Sequence, residues 1–135
     1  MSDTNNDIPT FFRINIETGD LDQAAEFYQT LFGMEGRRQA GSRVYFRCGG
    51  VTLQVVDVSA AGDPHTAAKA LYFTVNDLDA VYERAKGLEC LSNDDVHGSP
   101  AGEISVKPWG ERSFYCNDPW QNPLCFVEEG TTYKG

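Results

Sequence analysis

Four thiols, two histidines and an arginine on the polar side of an alternating run are the residues of this 135-residue chain best equipped for chemistry. Cys48, Cys90, Cys116 and Cys125 form no C-x-x-C pair, so neither a disulfide framework nor a thiol redox motif is expected. A thiol becomes a nucleophile only where a neighbour lowers its pKa. Cys48, Cys116 and Cys125 fall in or beside apolar runs, where cysteine usually packs as a small hydrophobe. Asp94, Asp95 and His97 stand close enough to suggest a metal, yet they share one acidic loop with no further ligand spacing. His65 lies in a connector of small residues. Arg13 alternates with Phe12 and Ile14, which places it with Asn15 and Glu17 on the polar face of a strand. From there a guanidinium can clamp both oxygens of a carboxylate, or pair internally with Glu17.

The elements that must position these groups are legible from period and punctuation. Residues 12–17 alternate strictly as a strand with one apolar face. Asp20 caps a helix whose apolar stripe is Leu21, Ala24, Ala25, Tyr28, Leu31 and Phe32, and Gly33 stops it. Strands are expected near 35–39, at 43–47 and at 51–58, the last with Leu53 on one face and Gln54 on the other. Residues 59–68 read as a connector. The pattern then restarts with a strand at 70–76, a helix capped by Asp77 and stopped by Gly87, a strand near 88–91 and an irregular segment from 93 to 110. Two apolar runs, 113–116 and 124–127, flank Asn117-Asp118-Pro119-Trp120-Gln121-Asn122-Pro123 and predict a hairpin with a long loop. Pro123, unable to donate to a ladder, belongs at the start of the returning strand.

Bulk composition narrows the classes. The net charge of −9, from 20 acids against 11 bases, opposes nucleic-acid binding. No apolar run is long enough to span a bilayer and no export signal is visible at the start. A soluble, cytoplasmic protein is expected, with no membrane or nucleic-acid partner. The length suits one core, and a single domain is expected over 9–129 between a disordered lead-in, 1–8, and a tail, 130–135.

Asp20-Leu21-Asp22 and Asp77-Leu78-Asp79 superpose at an offset that keeps the preceding strands in phase, so the chain is an internal duplication of about 9–58 and 69–129. The repeated strand, Asp-Leu-Asp and helix, with Phe27-Tyr28, Leu31-Phe32-Gly33, Trp109-Gly110 and the 118–123 loop, resembles the vicinal oxygen chelate superfamily. That superfamily includes glyoxalases, bleomycin-resistance proteins and extradiol dioxygenases. The resemblance implies an α+β fold of two tandem βαβββ modules, whose curved mixed sheets form a cup, and a homodimer. It also implies four metal-ligand positions, which fall here on Arg13, Gln54, Ala70 and Cys125. Arginine has no lone pair to give and alanine no donor atom, so a site of the zinc or non-haem iron type cannot be assembled. No metal and no cofactor are expected.

What remains is a polar, aromatic-bearing concavity for a small-molecule ligand, with Arg13, Asn15, Gln54, Tyr72, Trp109, Tyr115 and Cys125 as the candidate binding residues. Trp120, in the turn, is expected as a lid or dimer contact. The leading reading is a metal-free binding protein of the glyoxalase and bleomycin-resistance type, serving resistance or sequestration. The alternative is a lyase or isomerase of the glyoxalase type, working without a metal or with a displaced one. A third reading is a dimeric assembly protein with a filled cup. Net acidity suits a cationic ligand and Arg13 an anionic one.

Overall fold

The computed structural model describes residues 7–39, 41–67, 69–96 and 98–135. Most of the expected lead-in, and His97 in the acidic loop, lie outside them. The first module runs β1 (Arg13–Thr18), α1 (Leu21–Phe32), β2 (Arg37–Gln39), β3 (Arg43–Cys48) and β4 (Val51–Asp57). Its sheet has the order β1-β4-β3-β2, with β1 and β4 parallel and the other pairs antiparallel. The second module repeats the plan with β5 (Leu71–Val75), α2 (Leu78–Gly87), β8 (Ser105–Val106), β9 (Arg112–Asn117) and β10 (Pro123–Glu128), in the order β5-β10-β9-β8. Between α2 and β8 it adds a two-stranded ladder, β6 (Asp95–Val96) with β7 (Ser99–Pro100). The fold is α+β, two βαβββ modules with open mixed sheets.

Local chemistry sets the element ends. The Asp20 side chain accepts from the Gln23 backbone N–H at 2.9 Å, and Gly33 closes α1 at φ 67°, the left-handed conformation that glycine adopts without Cβ strain. The second helix ends differently from expectation. Gly87 is its last helical residue, Leu88 caps it, and Glu89 takes the left-handed turn at φ 56°. Residues 88–91 therefore reverse the chain and do not form a strand; only Leu91 bridges to Cys116.

The apolar faces of both sheets and both helices join one core. Phe32, at the end of α1, lies 5.2 Å from Phe73 of β5 and 6.2 Å from Phe126 of β10, ring centre to ring centre. Each helix lies over the inner strands of its own sheet, α1 over β4 and β3 and α2 over β10 and β9, and the two helices also touch each other. Both sheets thus turn their apolar faces toward a shared helical layer. The polar faces are left looking outward.

The loop from β9 to β10 locks the modules together. Asp118, buried among them, accepts from the Tyr28 hydroxyl at 2.7 Å, from the backbone N–H groups of Trp120 and Asn122, and from Asn122 Nδ2. The fully buried Asn122 donates to the Glu17 carbonyl in the first module and accepts from the Ala67 N–H. Trp120 packs on the core, over Gly19, where an added Cβ would meet its ring at 2.8 Å. Its place is in this seam; it is not a lid.

Candidate binding face of the first sheet

Because side chains alternate along a strand, the ladder registers place the outward residues of the first sheet on a grid. One row is Arg13, Thr52 and Arg47; the next is Asn15, Gln54, Tyr45 and Arg37; the third is Glu17, Val56, Arg43 and Gln39. The alternate residues Ile14, Ile16, Val44, Phe46, Leu53 and Val55 point into the core. Gln54 sits near the centre of the grid and is only 6% exposed. A cavity of about 290 Å³ opens on this face, lined by Phe12, Arg13, Arg37, Gln39, Tyr45, Arg47 and Thr52.

Four arginines share the face, and among the described residues none of Arg13, Arg37, Arg43 and Arg47 has a carboxylate partner. Arg13 lies over the Phe12 ring at 5.1 Å. Its expected internal partner, Glu17, is engaged elsewhere: Glu17 Oε1 accepts from the His65 backbone N–H at 2.9 Å and lies 3.2 Å from His65 Nδ1. Those contacts hold the Glu17 carboxyl below its ordinary range. Arg38, on the other side of β2, pairs with Asp22 at 2.8 Å. At two strand spacings, about 10 Å, a pair such as Arg13 and Arg47 repels by roughly 0.4 kcal/mol in water. The face tolerates its charge and is open to an anion.

The outward face of the second sheet carries a different set. Tyr72 and Tyr115 share a hydrogen bond at 3.1 Å, and their rings meet edge to face. Cys125, beside both in the ladder, is 1% exposed. Burial raises its thiol to about 11, against the opposing influence of Tyr115, Ser113 and Lys107, so it is protonated at neutral pH. Lys107, 4% exposed, extends its ammonium to Ser105 Oγ at 2.8 Å and to the Ser113 carbonyl at 3.2 Å, and lies 5.8 Å from the Tyr115 ring centre. Burial holds its pKa below the ordinary lysine value, and burial raises that of Tyr115 well above the ordinary tyrosine value. Trp109 donates from Nε1 to Glu111 at 2.7 Å near the end of this sheet.

The structure therefore brings Arg13, Asn15 and Gln54 together on one face and Tyr72, Tyr115 and Cys125 together on the other. No group of three or more His, Cys, Asp or Glu able to hold a metal ion occurs among the described residues. The four inherited ligand positions do not fit a metal. Arg13 and Ala70 offer no donor, and Gln54 and the protonated Cys125 lie on different sheets. Arg37, Arg43, Tyr45, Arg47 and Lys107 were not singled out from sequence. Arg43, Tyr45 and Arg47 were within reach, since 43–47 alternates with Val44 and Phe46, but the register joining β2, β3, β4 and β1 was needed to see them and Arg37 as one surface.

Solved structures share the whole architecture. A glyoxalase/bleomycin resistance protein from Albidiferax ferrireducens T118 superposes with a TM-score of 0.73 at 16% identity, over 88% of this chain and 98% of its own. A lactoylglutathione lyase from Agrobacterium tumefaciens gives 0.64 at 24% identity, over 92% and 96%. A bleomycin resistance determinant encoded on the transposon Tn5 gives 0.68 at 17% identity, over 90% and 99%. Comparison with curated proteins finds no match. Residues 10–126 match the family model of the Glyoxalase/Bleomycin resistance protein/Dioxygenase superfamily, and the chain belongs to that superfamily.

Proposed function

We propose that this protein binds a small organic molecule on the outward face of the first sheet, with Arg13 as anchor and Gln54 orienting the ligand, and that the binding needs no metal. One observation carries the reading. Arg13 borders a cavity beside a nearly buried amide, while the one acid in its grid, Glu17, is committed to His65. A guanidinium so placed matches the carboxylate or other anionic group of a ligand. Sequestration of a compound, as in a resistance protein, is the physiological form this activity takes in the proposal.

The proposal includes a homodimer. The two outward faces are separate within one chain, and a second copy is the means of setting a second-sheet face, with Tyr72, Tyr115 and Cys125, across from Arg13. The exposed Ile8, Phe11, Phe12 and Tyr72 supply apolar contact area for it.

A second reading, a metal-independent lyase or isomerase of the glyoxalase type, is favoured by Lys107. Its buried ammonium, with a depressed pKa beside Tyr115, is suited to proton transfer. A thermal-shift screen of small molecules on wild type and Arg13→Ala tests the binding reading, because equal stabilisation of both proteins would remove Arg13 as anchor. Metal analysis of the purified protein tests the metal-free form: stoichiometric zinc, nickel, manganese or iron contradicts it.

A further inference from the structure

We infer that the ligand of the first sheet's outward face carries two or more negative charges, held jointly by Arg13, Arg37 and Arg47. The inference rests on the binding reading and adds the chemical class of the ligand. It starts from a contrast. The chain carries a net charge of −9, yet one face of one sheet presents four arginines and a single acid, and that acid is turned to His65. Three of the four line one cavity of about 290 Å³.

All three are exposed, yet they come from three different strands and line one cavity. Arg13 and Arg47 end one row of the grid and Arg37 ends the next, so Arg13 stands to one side of Thr52 and Arg47 and Arg37 stand to the other. A molecule in that cavity meets cationic donors from both sides of Thr52, with Tyr45 and Phe12 also in the lining. One carboxylate carries a single negative charge, so it can pair bidentately with one guanidinium but leaves the charge of the other two unmatched. Three guanidinium forks with no carboxylate partner among the described residues, around one cavity, fit a ligand with two or more anionic groups, such as a phosphorylated compound or a di- or tricarboxylic acid. Among the described residues of this face, the one carboxylate a cationic compound could meet, Glu17, is bonded to His65. The same field draws anions in locally, despite the net charge of the whole chain.

Inorganic pyrophosphate and citrate serve as multivalent probes and acetate as the monovalent one, in calorimetric titrations at matched ionic strength, with spermidine as the cationic control. The expected result is measurable binding of pyrophosphate or citrate, much tighter than acetate, weakened about tenfold by each of Arg37→Gln and Arg47→Gln and unchanged by Arg38→Gln. Binding that also weakens as salt is added agrees with it. If acetate binds as tightly as the multivalent anions, or if only Arg13→Ala weakens binding while Arg37→Gln and Arg47→Gln do not, the inference falls and the binding reading stands. If spermidine binds to wild type and loses affinity in Gln54→Ala, the ligand class is wrong and the face is still a binding face. If no probe binds at millimolar concentration, the multivalent-anion class is overturned. Binding indifferent to Arg13, Arg37, Arg47 and Gln54 alike overturns both.

Discussion

Glu17 and Arg13 occupy the same face of β1 two residues apart, yet the Glu17 carboxylate turns to the backbone and ring of His65 and leaves the guanidinium without it. The connector between the modules thereby draws off the acid that, among the described residues of this face, stands ready to neutralise Arg13. Replacing Glu17 by Gln is expected to leave anion binding intact, whereas an Arg13–Glu17 pair would make that substitution strengthen it. Titration of an anionic ligand against both proteins decides between the two. The carboxyl pKa is lowered in the folded state, chiefly by the His65 N–H. Its contribution to stability is therefore present above the ordinary value of 4.5 and lost as pH falls through the depressed one. Glu17→Gln should lack that acid-side component in urea midpoints.

The Tyr28 hydroxyl donates to a buried carboxylate across the seam of the two modules. Tyr28→Phe keeps the ring and deletes that bond, and should cost about 2 kcal/mol in urea unfolding. Burial first, and then Asp118, push the Tyr28 pKa well above 10.0. The native state keeps a proton that the unfolded chain releases, so the contribution of Tyr28 to stability is level below pH 10.0 and falls above it. In Tyr28→Phe this component of the alkaline fall should disappear.

Gln121 stands at φ 69° in the loop between β9 and β10, a conformation costing a non-glycine residue roughly 1 kcal/mol. Gln121→Gly should stabilise the protein by up to about 1 kcal/mol, less what glycine adds to the freedom of the unfolded chain. Chemical denaturation of the two proteins measures it. A loss of stability would mean that the Gln121 side chain makes a contact worth more than the strain.

Cys125 has a thiol pKa of about 11 and no exposed surface to speak of, which leaves a thiolate fraction of about 1 in 10,000 at neutral pH. Iodoacetamide followed by peptide mass spectrometry should label Cys48, the half-buried thiol, well before Cys125. Rapid, stoichiometric modification of Cys125 at neutral pH would show a reactive centre and favour the enzyme reading.

Much of this was legible in the residues because period and caps are local. The alternation at 12–17 placed Arg13, Asn15 and Glu17 on one face, and the repeated Asp-Leu-Asp located both helices and the duplication. Pro123 began its strand as its missing N–H requires. Relations set at a distance were harder to read. Residues 88–91 are apolar enough for a strand, but the left-handed turn at Glu89 decides otherwise. Glu17 was a natural partner for Arg13 by spacing, and only the fold of the connector reveals His65 as its partner. The arginine face appears only once β2, β3, β4 and β1 are set in register.

Asn122 can be considered as a constraint on motion. A duplicated chain of two modules joined by a connector has, in principle, the freedom to swing one half about the other. One buried amide holds the end of β1, the connector at Ala67 and the loop carboxylate of Asp118 at once, and so removes that hinge. The relative pose of the arginine face and the tyrosine face is then held by this loop as well as by the shared core. A rearrangement that changes which surfaces confront each other has to break that residue's three side-chain bonds as well as part the shared core.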